Sequence, residues 1–179
     1  MTPFWFFSIL VLVLIPSVGG ATSFSGEVVS VVDGDTFDVE HEQVIERIRL
    51  HGIDAPEKGQ EFSRRSRQFL ETLTMKQRVT VEAKGHDKYA RTIGDVFLPD
   101  GRNISNELVT AGLAWWYCRY SSDATLQQVQ EDARAAKLGI WSDPAPIPPW
   151  VYRKFQRFQV PDLSDLACPR PTSHSHGAR

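Results

Sequence analysis

The stretch VVDGDTFDV, Val31–Val39, places an Asp-Gly pair between two β-rich arms and then adds a second aspartate, Asp35. Asp-Gly between apolar, alternating residues is a hairpin signal, because both residues tolerate a tight turn. A turn needs one Asx-Gly pair, so Asp35 is surplus to it. Either it is a solvated turn residue, or the hairpin presents it to a site.

The segments around this hairpin continue as strands. SGEVVSVV (Ser25–Val32) and TFDVEH (Thr36–His41) are its two arms. VIERIRLHGI (Val44–Ile53) alternates again, with Ile45, Ile48, Leu50 and Ile53 apolar. The slip in alternation between Ile45 and Ile48 predicts a bulge. The period then changes: EFSRRSRQFLETL (Glu61–Leu73) sets Phe62, Phe69, Leu70 and Leu73 near one helical face. RVTVEAK (Arg78–Lys84) and TIGDVFL (Thr92–Leu98) are a fourth and a fifth strand, joined by the charged loop GHDKYAR. ISNELVTAGL (Ile104–Leu113) predicts a short helix capped by Asn103 or Ser105, and TLQQVQEDARAAKLGIW (Thr125–Trp141) a third, with Asp123 as cap and Gly139 as stop. Five short strands with a helix between the third and fourth predict an α+β, mainly β fold: a five-stranded OB-fold barrel with three helices.

After Trp141 the segment SDPAPIPPW carries four prolines, which continue neither helix nor central strand, so Ser142–Pro149 reads as an extended strap. WVYRKFQRFQV (Trp150–Val160) is a short basic amphipathic piece, and PRPTSHSHGAR reads as a solvated tail, His174 and His176 included. The domain expected is residues 24–142, with a strap and flexible tail over 143–179.

The chain has 179 residues and a formal net charge of −2, so no global basic field attracts nucleic acid and any such binding must come from local clusters. Met1 to Gly26 carries no charged side chain; FWFFSILVLVLI (Phe4–Ile15) is followed by Pro16 and small residues. This is the pattern of a secretory signal over residues 1–21, cut after Ala21, with an uncleaved membrane anchor as the rival because the n-region lacks Lys and Arg. Either reading puts the domain outside the cytoplasm, secreted or periplasmic. In an oxidising compartment the two cysteines, Cys118 and Cys168, are a pairable number, and a bridge would tie the tail to the domain.

Three acids stand out. Asp35 ends the first turn, Asp54 ends the third strand in GIDAPE, and Glu57 follows Pro56. Close carboxylates repel, so such a pair is kept by a cation or a raised pKa, and oxygen ligands suit Ca²⁺ or Mg²⁺. Alone, each aspartate is an ordinary turn residue. Arg47 and Arg49 share a face of the third strand, and Arg91 closes DKYAR. Guanidinium groups bind phosphate and stabilise charge growing on it. Acids, a further Glu and arginines together fit phosphodiester hydrolysis, which needs a base for water, a Lewis acid and cations for the transition state.

VVDGDTFDV, RIRLHGIDAPE, DKYAR, NELVTAGLAWW and ARAAKLGIW occur in the order seen in the staphylococcal nuclease (thermonuclease, micrococcal nuclease) family, and the chain resembles that family from about Phe24 to Trp141. The resemblance implies an OB-type barrel with three helices and calcium-dependent hydrolysis of DNA and RNA. Asp35 and Asp54 match its metal carboxylates, and Ala55 stands where the family uses a backbone carbonyl towards the metal. Glu57 matches the residue usually assigned as general base. Arg49 and Arg91 match the transition-state arginines, whereas Arg47 has no such role and reads as a lesser phosphate contact or a surface charge. Lys88 and Tyr89 match residues flanking the nucleotide phosphate. Two departures are visible: Ala90 where Gly often precedes the arginine, and Cys118 where a tyrosine contacts the nucleotide, with Tyr120, Tyr117 or Trp116 able to replace it as a stacking platform. Trp115 reads as packing between barrel and helix. The expectation is a monomeric, secreted or periplasmic Ca²⁺-dependent endonuclease, with Mg²⁺ as the other candidate ion. The rivals are a non-catalytic nucleic-acid-binding module, which would lack the acid set, and a membrane-tethered interaction domain.

Overall fold

The computed structural model describes residues 22–157. The N-terminal apolar segment through Ala21, Cys168, and the tail with His174 and His176 lie outside the described residues. Among the described residues, no helix is long and apolar enough to cross a membrane.

Five strands close a barrel in the order β1-β2-β3-β6-β5. They are β1 (Ser23–Val31), β2 (Thr36–His41), β3 (Val44–Leu50), β5 (Arg78–His86) and β6 (Thr92–Phe97). All neighbours are antiparallel except β3 and β6, whose parallel pairing of Ile48 with Thr92 and Leu50 with Gly94 completes the circle. The alternation that marked these segments becomes the barrel interior: Val28, Phe37, Val39, Ile48, Leu50, Val79, Val81 and Val96 are buried. Each such aliphatic or aromatic side chain removed from water contributes roughly 1.5–3 kcal/mol.

The bulges lie elsewhere than expected. Register shifts occur in β1 between Val28 and Ser30 and in β5 between Ala83 and Gly85. The β2–β3 ladder runs without interruption from Thr36↔Arg49 to His41↔Val44. The apparent slip at Ile45 has a simpler cause: Ile45 points out and is 65% exposed, while its neighbour Glu46 takes the inward parity. Glu46 is accommodated there by His41, 2.8 Å away, and by the Thr92 hydroxyl.

The third predicted strand breaks at His51–Gly52. Ile53–Asp54 forms a separate short strand, β4, which pairs with Trp115–Trp116, β7. Helix α1 (Ser63–Thr74) buries Leu70, with Phe69 and Leu73 partly covered, and keeps Arg64, Arg65 and Arg67 on its outer face. Helix α2 (Ile104–Thr110) is capped by Asn103, whose side chain accepts from the Asn106 N–H. Helix α3 (Ala124–Ala135) is capped by Asp123 as expected but stops short of Trp141. Its end is set locally: Lys137 takes φ of +55°, the Lys137 N–H donates to the Arg134 carbonyl and the Leu138 N–H to the Ala133 carbonyl, and beyond this turn the Ile140 N–H donates to the Gly112 carbonyl at 2.8 Å, where a Cβ on Gly139 would stand 2.1 Å from that oxygen. The chain thus leaves the helix before it lays Gly139 against Gly112, and residues Gly139–Ser142 form a 3-10 turn.

The expected barrel is present, with four helices among the described residues rather than three. The fourth, α4 (Pro149–Gln156), begins on Pro149 at its first turn, where the missing N–H costs no hydrogen bond. Its Val151 is buried, and Trp150 stacks on Tyr117 with ring centroids 5.0 Å apart and planes 2° apart.

One polar clamp ties β3, β6 and the segment after β7 together. His51 Nδ1 lies 3.0 Å from Asp95 Oδ1, its Nε2 3.3 Å from the Tyr120 carbonyl, and Lys84 Nζ 2.8 Å from Asp95 Oδ2. Both imidazole nitrogens face oxygen acceptors, and the Asp95 hydrogen bond raises the His51 pKa above its ordinary 6.5. A raised histidine pKa favours the folded state below the unfolded value, and that contribution is lost as pH rises through the folded one. Thermal melts of the metal-free protein should therefore show a loss of Tm as pH rises above about 6.5, a loss that is smaller in His51→Gln, where the raised Asp35 carboxyl still contributes its own; parallel pH profiles would contradict the clamp.

Candidate active site

The turn after β1 is built as the sequence suggested, with one difference. The Asp33 carboxylate accepts the Asp35 N–H at 3.0 Å, and the Val32 and Asp33 N–H groups donate to the Thr36 carbonyl. Gly34 is not in the left-handed region; it is required by space. A Cβ there would stand 2.2 Å from Ser66 Oγ and 2.7 Å from the Ala55 Cβ. The glycine lets the turn sit directly on α1 and on the segment after β4, which drives Asp35 inward to 5% exposure.

Asp35 is fixed by three elements. Its Oδ2 accepts the Ala55 N–H at 2.7 Å, its Oδ1 accepts the Thr36 hydroxyl at 3.1 Å, and its carbonyl accepts the Leu50 N–H. Asp54, in β4, is 1% exposed. Arg49 at the end of β3 lies between them: Nη1 is 2.9 Å from Asp35 Oδ2 and Nη2 is 3.0 Å from Asp54 Oδ1. The one guanidinium thus brings together the two carboxylates that the sequence singled out. Burial pushes the Asp35 carboxyl up to about 8, against the pull of Arg49. A cation bound beside this carboxyl would favour its ionised form over the protonated one.

Glu57 follows two residues after Ala55 on a loop whose turn is closed by Gln60, and its N–H donates to Gln60 Oε1 at 3.0 Å. Its side chain is 35% exposed. Arg153, from α4, joins it to Asp54. Arg153 Nη1 donates to Glu57 Oε1 at 2.5 Å and to Asp54 Oδ1 at 3.1 Å, and Nη2 donates to Asp54 Oδ2 at 2.8 Å. Sequence reading grouped Arg153 only with a basic segment. The four acid and guanidine neighbours Asp35, Asp54, Glu57 and Arg49 are contiguous through these bonds, and Arg153 is the member it missed.

Arg91 stands at the margin. Asp87 holds it through Nε at 2.8 Å and Nη2 at 2.7 Å, and Nη1 reaches Thr36 Oγ1 at 3.3 Å, one hydroxyl away from Asp35. Tyr89 is 65% exposed, and Lys88 Nζ and the Arg91 guanidinium lie 5.0 Å and 5.6 Å from its ring centroid. Tyr120 is 64% exposed and meets Tyr117 edge-on. Arg47 is set apart: both ends of its fork pair with Asp38. Trp115 is buried against Trp141 and Trp150, as packing between the barrel and its helices requires. Cys118 is buried, and its expected partner Cys168 lies outside the described residues.

Among the described residues, no set of three or more His, Cys, Asp or Glu is arranged to hold a metal ion. The donors that converge are Asp35 and Asp54, with the Ala55 peptide bound to Asp35 and Glu57 turned to Arg153. All are hard oxygen donors, the chemistry that Ca²⁺ or Mg²⁺ takes.

An OB-type barrel whose rim gathers buried carboxylates and guanidinium groups defines a phosphodiesterase-like domain. Sequence comparison supports the same class. The family described as staphylococcal nuclease homologue matches residues 47–143. The chain is 44% identical over 128 residues to an uncharacterized endonuclease of Escherichia coli O157:H7, covering 72% of this chain and 84% of that one. It is 43% identical over 153 residues to a micrococcal nuclease of Shigella flexneri, covering 80% and 88%. It is 38% identical over 139 residues to Protein ParB of Escherichia coli, covering 72% and 78%. The chain belongs to the staphylococcal nuclease family, a family of nucleic-acid hydrolases.

Ala90, next to Arg91, has φ of +60°, where an L side chain costs about 1 kcal/mol relative to Gly. Ala90→Gly should raise stability by about 1 kcal/mol or slightly less, since Gly also gains unfolded-state entropy. Urea unfolding checks it; a fall in midpoint would mean that this turn does not need the left-handed conformation.

Proposed function

We propose that the protein is an exported endonuclease that hydrolyses phosphodiester bonds of DNA and RNA with Ca²⁺, Mg²⁺ being the alternative ion. The observation that carries this reading is the Arg49 bridge between Asp35 and Asp54, because it assembles acids and a cation at one point of the barrel rim. Asp35, Asp54 and the carbonyl of Ala55 would hold the ion. When bound, it would supply Lewis-acid polarisation of the phosphate and acidify water.

The chain's own groups have distinct tasks in this reading. Glu57 is the half-exposed carboxylate of the set, so it can meet both water and substrate, and it serves as the base that orients or deprotonates the attacking water. Arg49 and Arg91 donate to phosphate oxygens and neutralise charge that grows in the transition state. Both are now held by carboxylates, Arg49 by Asp35 and Asp54 and Arg91 by Asp87, which fixes their forks before substrate arrives. Lys88 and Tyr89 lie on the exposed turn beside Arg91 and flank the bound phosphate, and exposed Tyr120 offers a face on which a base can stack. The apolar segment through Ala21 supports export, and a Cys118–Cys168 bridge suits that compartment. The protein acts as a monomer on this reading. A binding module without cleavage is disfavoured by retention of the whole acid set.

Digestion of single-stranded DNA, duplex DNA and RNA in Ca²⁺, Mg²⁺ or EDTA tests this. Glu57→Gln should lower kcat by about 10²–10⁴-fold with little change in substrate affinity. Undiminished cutting by that variant would remove Glu57 from the chemistry. Asp35→Ala should abolish the Ca²⁺ dependence, and calcium-stimulated cutting that survives it would refute the ligand assignment.

A further inference from the structure

Helix α4 lies beyond the segment that matches the family, yet it puts a guanidinium into the acid cluster. A carboxylate offers about four lone-pair sites. On Asp54, Arg49 takes one, on Oδ1 at 3.0 Å, and Arg153 takes two, on Oδ1 at 3.1 Å and Oδ2 at 2.8 Å. Arg153 also takes Glu57 Oε1. Asp54 has 2% side-chain exposure, so bulk water contributes little to satisfying it; the two forks do so instead.

The contact is built rather than incidental. Trp150 and Arg153 are three residues apart on α4 and share a face. The Trp150 ring is stacked on Tyr117 and set edge-on to Trp115 at 5.6 Å, while Val151 is buried and Gln60 Nε2 donates to the Ile147 carbonyl just before the helix. These contacts aim Arg153 at the carboxylates.

We propose that Arg153 is a tethered counter-cation that a divalent ion must displace from Asp54 and Glu57, so that α4 sets the metal affinity of the site. This rests on the metal reading given above. Arg153 uses two of the three occupied lone pairs on Asp54 and one on Glu57, so a divalent ion at these carboxylates competes with it for them, and two cations on one carboxylate repel. Binding linkage is reciprocal: if docked α4 weakens the metal, the metal loosens α4 by the same factor. Arg153 is then a positioning residue, which holds Asp54 and Glu57 in place while the ion is absent.

The test uses Ca²⁺ as the probe and the full chain. Isothermal titration should show Ca²⁺ binding about tenfold tighter to Arg153→Gln than to wild type, with Arg157→Gln, at the exposed end of α4, unchanged. The metal-free Arg153→Gln protein should melt lower and gain more Tm from Ca²⁺. Hydrogen exchange on the wild type needs no variant: amides of residues 150–156 should exchange faster with Ca²⁺ than with EDTA. Equal or weaker Ca²⁺ binding by Arg153→Gln, or α4 exchange unmoved by Ca²⁺, would overturn the role of Arg153 alone. Weaker binding of a DNA oligonucleotide at unchanged Ca²⁺ affinity would overturn it in favour of a phosphate contact. No Ca²⁺ binding by any of the proteins would remove the metal reading and this inference with it.

Discussion

The site depends on a buried guanidinium between two buried carboxylates. Arg49 has 15% side-chain exposure, and Asp35 and Asp54 have less than that. A charge in that position is expensive unless it is paired and hydrogen-bonded on every side. Removing one partner of such a group costs about 3–5 kcal/mol, because the remaining charge is left uncompensated. The arrangement is therefore cooperative: the end of β3, the first hairpin and β4 must all be in place before any one of these side chains is tolerable.

The surrounding backbone is shaped by that requirement. Gly34 is small so that the hairpin can press on Ser66 and Ala55, and this contact places Asp35 where the Ala55 N–H can donate to it. Gly52 takes φ of +77° at the break between β3 and β4. The break turns Asp54 towards the Arg49 side of the barrel while Tyr117 pairs back to the Gly52 carbonyl. A strand that ran on through His51 with perfect alternation would have no reason to stop there.

Much of this was legible from residue order. The alternating runs gave five barrel strands, because each strand buries one face and the period of two survives in the sequence. Asn103 and Asp123 were readable as caps, since a side-chain acceptor before a helix is a local device. What depends on contact between distant segments was not legible. The end of α3 falls at Lys137, a lysine in the left-handed region, ahead of the expected stop at Gly139, and Gly139 instead meets the Gly112 carbonyl, a partner that residue order does not encode. Ile45 looked like a phase error because an exposed apolar residue was read as an inward one. Arg153 was hidden because its partners Asp54 and Glu57 are distant in the chain, and its own neighbourhood shows only a basic amphipathic segment. The nearest available signal was Pro148-Pro149-Trp150, which marks a helix start and an aromatic anchor.

Charge balance links these parts. Asp35, Asp54 and Glu57 are three acids, and among the described residues Arg49 and Arg153 pair with them. Arg91 has its own counter-ion in Asp87 and touches the cluster only through the Thr36 hydroxyl. The cluster is short of one positive charge when Asp35 is ionised, and burial answers by raising the Asp35 pKa. A divalent ion in place of Arg153 would instead leave the inner group, with Arg49, balanced against its three carboxylates. The C-terminal helix of the described residues thus supplies a charge of the sign the site lacks, on an element held by buried Pro149 and Val151 and by the Trp150 contacts with Tyr117 and Trp115.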